Sequence, residues 1–419
     1  MKIWIVTIGE PSLLDFKDSR LLRSEIFSDK LIKKGAHVTF FNSTFDHVKK
    51  RHRYDKNSKV RYNQNLTYYF LKSIGYKKNI SLRRLIDHIY LARNYKNLIN
   101  ELEPPDLIFC SMPTIELAYY SVKYAKKNSI PVVIDIRDLW PDIFYLNQKS
   151  KIKKIILKLI FSISNHKLKY ALANCSSVIG ITDPIVKWAE SKTKTNKDQI
   201  NKSFFLTKHF NLNSNESLKK SISFWNNYGV MENDFNISLC ASFNSVIDFD
   251  TIIRSARILN SLKINVKFVL CGDGEKLESV RKEASDLKNI LFPGWINSSQ
   301  IETLMLRSKF GLLPYRNFFD FKMSIPNKVS EYLSYGLPLL TCLKGTVEEL
   351  VFDHKCGVVY TESDPVDLAN KIIYQAENYQ KFSYKENSLN LYKQKFDSSK
   401  IYEEMYNHIM EIIENYKLN

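Results

Sequence analysis

Twice along this chain, short apolar runs of five or six residues alternate with segments whose apolar side chains recur at helical spacing. That rhythm leaves few folds open. Neighbouring parallel strands need a long crossover, and an amphipathic helix supplies one while covering the sheet face. In the first half, residues 3–8, 36–41, 106–110, 131–136 and 175–181 read as strands, with helices over 21–34 and 115–128. Gly35 ends the first of these helices. Residues 191–235 are rich in Asn, Ser and Lys with weaker periodicity, which places a hinge near 205–225. The rhythm then restarts, with strands over 236–242, 266–271, 289–293, 310–314 and 337–341. Helices are expected over 249–262 and 328–335, from a capping box at Ser299-Gln300-Ile301-Glu302, and from Asp364-Pro365. The expected fold class is α/β, with two Rossmann-like doubly wound parallel sheets. The expected boundaries are 1–210 and 211–395, with a C-terminal helix over 396–419 that packs back on the first domain. Ligands of such sheets sit beyond the carboxyl ends of the strands.

A length of 419 residues suits two domains, each large enough for its own core. The six cysteines stand in apolar, strand-like runs with no CxxC pair, which reads as buried free thiols in a reducing compartment. The first residues run straight into a strand pattern without a leader-like h-region, and no run approaches ~18 apolar residues. A cytoplasmic protein is the expectation. The formal net charge of +18 suggests an anionic partner: a nucleotide, a membrane surface or a nucleic acid.

Two pieces of the second half carry chemistry. Gly272 and Gly274 follow a strand and precede a helix, where glycines permit a tight turn and close approach to a ligand or mark a plain strand-to-helix turn. At Pro326-Asn327-Lys328 a loop opens a short helix, whose first free N–H groups favour phosphate oxygens. Lys328 adds a cation. Glu331, one turn on, has a carboxylate suited to a ribose diol, or is simply a helix-surface charge.

Read in order, Cys271-Gly272-Asp273-Gly274, Phe292-Pro293-Gly294-Trp295, Leu312-Leu313-Pro314, Pro326-Asn327-Lys328 with Glu331-Tyr332-Leu333, Gly336-Leu337-Pro338, Glu348-Glu349-Leu350 and Gly357 resemble the donor half of retaining GT-B glycosyltransferases of family four. In the first half, Asp135-Ile136-Arg137-Asp138-Leu139-Trp140-Pro141-Asp142 and residues 42–47 are similar to members that assemble bacterial surface polysaccharides. The resemblance implies a GT-B fold with the active site in a cleft between the domains. It implies a metal-independent, retaining transferase with no cofactor, acting on a nucleotide-sugar donor, by family frequency a UDP-sugar, and on a glycan or polyprenyl-linked acceptor. It gives the donor contacts to Gly272, Gly274, Gly294, Trp295, Pro326, Asn327, Lys328 and Glu331. Asp138, Arg137 and Glu331 become catalytic, and His47 and Arg20 fall on the acceptor side. Three positions depart from the family pattern. Residues 241–247 carry no basic side chain, Met323 stands where a glutamate is usual, and Arg137 replaces a histidine. Lys328, Arg316 and Lys322 are the candidates for the missing cation.

Two basic segments lie outside that pattern. Residues 151–172 form a helix with Ile152, Ile155, Ile156, Leu159, Ile160 and Ile163 on one face and Lys151, Lys153, Lys154 and Lys158 beside it. It either packs on the sheet or leans on an anionic membrane surface. The second segment, Lys49-Lys50-Arg51-His52-Arg53 followed by tyrosines, is a solvated loop, an acceptor site for a sugar–phosphate–lipid or a nucleic-acid contact. Without a recognition-helix or zinc pattern, nucleic acid is not expected as a partner. A UDP-sugar 2-epimerase on the same fold and a catalytically degenerate partner subunit are the alternative functions.

Overall fold

A computed structural model describes residues 1–15, 21–78, 81–193, 199–207 and 214–418. Arg20, assigned to the acceptor side, lies outside the described residues, as do 194–198 and 208–213 of the polar stretch. The chain divides into one compact unit of Met1–His209 with Ser398–Asn419 and a second of Phe210–Asp397.

The first unit is built on an eight-stranded sheet in the order Lys202–Ser203, Ser177–Gly180, Val132–Ile136, Leu107–Met112, Lys2–Val6, His37–Ser43, Leu66–Leu71, Ser58–Arg61. All pairings are parallel except the outermost hairpin, in which Ser58–Arg61 runs antiparallel to Leu66–Leu71. Strand order reverses at Lys2–Val6, which has Leu107–Met112 on one side and His37–Ser43 on the other. The helix Ser398–Leu418 belongs to this unit and sets Ile401, Tyr402, Met405, Ile409, Ile412 and Ile413 into its core beside Phe27 and Phe109. The sequence rhythm predicts neither the hairpin nor the helix Leu82–Ile99. The hairpin joins a short polar strand, Ser-Lys-Val-Arg, to Leu-Thr-Tyr-Tyr-Phe-Leu, and the helix carries apolar residues on two faces, only one of which is buried.

The second unit holds a six-stranded parallel sheet in the order Ile290–Gly294, Val266–Cys271, Phe235–Cys240, Phe310–Leu313, Leu339–Thr341, Gly357–Val359. Its switch point lies between Phe235–Cys240 and Phe310–Leu313. The helix Phe249–Ser261 buries Ile252, Ile253, Ala256 and Leu259, an apolar stripe at the spacing read from the sequence, each large member worth ~1.5–3 kcal/mol. Most strands and helices fall within two residues of their expected ends. Three readings change. The polar stretch contains a full helix, Asn215–Asn227, held by the fully buried Trp225. The capping box belongs to Asn297 and Gln300, not Ser299: the Asn297 side chain accepts from the Gln300 amide at 3.0 Å, and the Gln300 side chain accepts from the Asn297 amide at 2.9 Å. The basic segment is two helices, Lys151–Ile160 and Ser162–Asn174, because Phe161 turns inward to stack on Phe144 at 4.8 Å and breaks the helix between them.

All six cysteines are free and buried. No helix among the described residues is long and apolar enough to cross a membrane. Among the described residues no cluster of His, Cys, Asp and Glu has the arrangement to hold a metal ion.

Candidate functional site

Each unit gathers its predicted site residues at the carboxyl ends of its strands, where loops lie beyond the last backbone ladder bond. In the second unit the two glycines after Val266–Cys271 adopt φ of +134° and +149°. A Cβ on Gly272 would stand 1.9 Å from the Ala241 carbonyl oxygen, and one on Gly274 would stand 2.5 Å from that of Phe243. Their immediate work is therefore close packing of two loops, sealed by the Phe243 amide donating to the Asp273 carbonyl (2.9 Å) and the Lys276 amide donating to the Phe243 carbonyl (3.0 Å). Gly294 also has a left-handed φ, +80°, with open space around it, and its carbonyl accepts from the Gly272 amide at 2.8 Å. Trp295, next along, is 84% exposed. A bare indole of this size beside an open backbone turn offers a face to a planar ligand.

The helix Asn327–Ser334 starts at this same edge. Its axis brings the positive end of the peptide dipoles to the switch point, a setting that favours anions. Lys328 is one-sixth exposed, and its ammonium sits 2.7 Å from the carboxylate of Glu331, which is fully buried. The helix-surface alternative for Glu331 is thus overturned. The helix turns that face inward because Val329, Tyr332 and Leu333 are buried on either side of it. Tyr332 packs its ring where Gly311 has no side chain, since a Cβ there would lie 2.3 Å from the ring. Burial pushes the Tyr315 phenol up to about 12, and the nearby Glu331 carboxylate adds to that push. Burial raises the Cys271 thiol well above its usual value, and Cys240 adds to this, while Lys328 acts in the opposite sense. Lys328 therefore stands close to the end of Val266–Cys271.

The other two cations proposed for this region part company. Arg316 reaches Asp248 at 3.4 Å, whereas Lys322 is exposed on the short helix Phe319–Met323. The Lys322 carbonyl packs against Gly345, whose φ of +78° and 2.3 Å Cβ clearance exclude a side chain there. Residues 241–247 bring no cation, as their sequence says.

In the first unit, the Asp135–Asp142 segment turns most of its charge inward. Asp135 is fully buried, with Arg23 at 3.2 Å and Arg137 at 2.7 Å. The Arg137 guanidinium also donates to Glu10, to the Ser24 hydroxyl (2.7 Å) and to the Ser111 hydroxyl (3.0 Å). Burial pulls its proton affinity down to about 10, which leaves it charged at neutral pH. Arg137 is thus a tie among the loops and strands of its own unit, with a sixth of its side chain reaching solvent. Asp142 accepts from the Trp188 indole at 2.9 Å and from Tyr145 and Lys192. Of the three carboxylates in that segment, only Asp138 is exposed. Glu10 and Arg23 are missing from the sequence reading. Their signal is the Gly9-Glu10 turn directly after the first strand, where Gly9 has φ +87°.

His47 lies in this unit too. Its Nδ1 is 2.6 Å from the Tyr76 hydroxyl. Burial, with help from Lys50 and Arg84, holds it down to about 4, so it is neutral across physiological pH. The basic segment beside it is split. Arg53 is half-buried, paired with Asp15 and donating to the Ser43 and Phe45 carbonyls, while Lys49 and Arg51 are exposed and Lys50 lies over the Tyr76 ring at 4.7 Å. The helix Lys151–Ile160 buries no residue at all: Ile152 is 72% exposed and Leu159 69%. Packing of that face on the sheet is therefore excluded.

Residues 228–390 match the model of the family described as glycosyl transferases group 1. No curated protein sequence matches the chain. Among solved structures, the chain is similar to a sucrose-phosphate synthase from Thermosynechococcus elongatus, with TM-score 0.73 and 12% identity, covering 99% of each chain. It is also similar to Anabaena HepE in complex with UDP and glucose, with TM-score 0.64 and 15% identity over 98% of this chain and 100% of that one. WaaG, a glycosyltransferase involved in lipopolysaccharide biosynthesis, aligns with TM-score 0.60 and 14% identity over 97% and 98%. At these identities the likeness establishes the fold: two Rossmann-like α/β domains of the GT-B type.

Proposed function

We propose that this chain is a glycosyltransferase that moves a sugar from a nucleotide-sugar donor, UDP-linked, to a glycan or lipid-linked acceptor in surface-polysaccharide synthesis. The observation that carries the reading is the Lys328–Glu331 pair at the start of Asn327–Ser334, at the switch point of a unit that matches glycosyl transferases group 1. The helix start and the Lys328 ammonium take the diphosphate, whose negative charge grows as the sugar departs. Fixed donors aimed at that charge lower the barrier without a metal ion, because they need no reorganisation during the reaction. The buried Glu331 keeps Lys328 oriented. Gly294 and Trp295 flank the base. Asp138, the exposed carboxylate of its segment, is the first unit's candidate catalytic group, and the sugar is transferred with retention. Complexes of HepE with UDP and glucose, and of a trehalose-6-phosphate protein from E. coli with UDP-2-fluoro glucose, support a UDP-sugar as the donor class.

The test is a thermal melt with UDP. Ligand at ~100 times its dissociation constant stabilises the state it binds by ~2.7 kcal/mol. Lys328→Ala is expected to remove most of that gain when each protein is compared with its own ligand-free melt. An unchanged UDP shift in Lys328→Ala ends the assignment. The lack of a cation in 241–247 favours one second reading, a partner subunit that binds nucleotide without turnover. UDP stabilisation without consumption of any UDP-sugar, with acceptor supplied, identifies that case.

The exposed apolar face of Lys151–Ile160, flanked by lysines, supports peripheral contact with an anionic membrane surface.

A further inference from the structure

The strands Phe235–Cys240 and Val266–Cys271 run parallel and in register, and each ends on a cysteine that stands directly opposite the other. Side chains alternate between the faces of a sheet, and neighbouring strands lie ~4.8 Å apart. Ile237, Leu239, Phe268 and Leu270 enter the core of the second unit, so Cys240 and Cys271, one residue on, point together to the opposite face. A separation set by that strand spacing falls within the ~4.4–6.8 Å between Cα atoms that a disulfide spans. Both thiols are free. The other four cysteines lack this arrangement. Cys110 stands in register with Val6 on one side and Ile134 on the other. The Cys175, Cys342 and Cys356 thiols donate to the Leu172, Tyr315 and Leu350 carbonyls at 3.4, 3.3 and 3.6 Å. Burial pushes each of these four thiols up to about 12, which keeps them protonated and unreactive.

The pair lies under the edge at which the nucleotide is expected. The helix Asn327–Ser334 covers this face of the sheet, and its Tyr332 hydroxyl donates to the Ser238 carbonyl, two residues before Cys240, at 3.5 Å. Burial raises the Cys271 thiol, the Cys240 thiol adds to this as its neighbour, and the Lys328 ammonium acts against both. The chain leaves the two cysteines through loops that have no slack. The Ala241 amide donates to the Cys271 carbonyl at 3.0 Å, and a Cβ on Gly272 would stand 1.9 Å from the Ala241 carbonyl oxygen. Joining the two sulfurs at ~2.05 Å draws these loop roots together. The shift passes to Gly294 through the Gly272 amide, which donates to the Gly294 carbonyl at 2.8 Å.

We propose that Cys240 and Cys271 are an oxidation site: a hydroperoxide joins them as a disulfide, and that bond closes the donor edge to nucleotide. The chemistry balances with hydrogen peroxide as the oxidant. Cys240 is 6% exposed and Cys271 1%, so the Cys240 sulfur meets the peroxide first. It attacks one oxygen, the other leaves as water, and Cys240 becomes a sulfenic acid. The Cys271 sulfur then attacks the Cys240 sulfur, the thiol proton leaves with the hydroxyl as a second water, and the disulfide forms. The consequence for nucleotide rests on the donor reading given above, whereas the disulfide itself does not.

The full chain is treated with hydrogen peroxide, capped with N-ethylmaleimide in denaturant and digested for mass spectrometry, with UDP titrated into a second portion of the same sample. A linked peptide pair carrying Cys240 and Cys271, lighter by two hydrogens, is expected. UDP affinity is expected to fall at least tenfold and to return with dithiothreitol. Cys240→Ser and Cys271→Ser, with melts confirming the fold, are each expected to hold UDP affinity through the peroxide treatment, while Cys342→Ser loses it as wild type does. The digest and the titration on wild type alone keep the site testable if a serine variant does not fold. Absence of the linked pair, a linked pair with unchanged UDP affinity, or peroxide loss of UDP affinity in both serine variants overturns the proposal. Failure of the reduced wild type to bind UDP sinks the donor reading and the proposed closure with it, and the linked pair then decides the oxidation site on its own.

Discussion

At the scale of single residues, burial decides what each charged group does. Glu25 is 1% exposed, and both its carboxylate oxygens accept from the Tyr68 hydroxyl at 3.0 Å. Desolvation raises its proton affinity to about 8, against the opposing pull of that hydrogen bond. The folded state therefore keeps a proton that the unfolded chain releases above its ordinary value of 4.5. Between pH 4.5 and about 8 the unfolded state holds fewer protons, so stability falls as pH rises through that window and then levels. Glu25→Gln keeps an acceptor for Tyr68 and removes the ionisation. It is expected to leave stability at pH 4 nearly unchanged and to raise it at pH 9 by up to about 4–5 kcal/mol, read from urea melts at the two pH values. Gly272 makes the opposite kind of demand, since it needs both a left-handed backbone and an absent side chain. Gly272→Ala is expected to cost about 3 kcal/mol or more by the same melts, because strain and a backbone clash add.

At the scale of elements, the helix Lys151–Ile160 leaves its apolar face uncovered. Its isoleucines are bare and its lysines flank them. Lysines near an anionic lipid surface contribute about 1 kcal/mol each. Replacing Lys153, Lys154 and Lys158 together by Glu is expected to abolish co-sedimentation with anionic vesicles while leaving the melting temperature within about 1–2 °C, since exposed surface changes seldom exceed ±0.5 kcal/mol. If wild type and variant sediment alike, this helix does not meet lipid through charge. The helix Asn327–Ser334 shows the reverse arrangement. Its charged residues Lys328 and Glu331 face inward, one on the other, and owe that orientation to the large side chains packed on either side of them.

At the scale of the whole molecule, the C-terminal helix is spent on the first unit. Ile401, Tyr402, Met405, Ile409, Ile412 and Ile413 fill a core that the strands Lys2–Val6 and Leu107–Met112 begin. Burial of six such side chains is worth on the order of 10 kcal/mol, comparable with the total stability of a domain. A chain ending at residue 397 is therefore expected to lose the first unit. Limited proteolysis should cut rapidly within 1–209 and leave 210–397 comparatively protected. Uniform protection of the truncated chain would show that the helix is dispensable.

The strands and helices were legible because period and side-chain volume act locally: a run such as Val266–Cys271 has no other way to hide its apolar surface. The turn glycines, the Asp364 cap and the Pro326-Asn327-Lys328 helix start are local in the same sense. What the amino acids alone left open was direction. Glu331 and the lysines of Lys151–Ile160 look alike as charges on helices, yet one is sealed in and the others stand in solvent. Arg137 fits a substrate contact until Glu10, Ser24 and Ser111 arrive from distant parts of the chain to claim it. Whether a charge faces a core, a ligand or water is fixed by residues remote in sequence, because desolvation depends on everything packed around the group. The sequence determined two doubly wound sheets and where the carboxyl ends of their strands fall. The tertiary structure alone decided which side chains at those ends remain free to act.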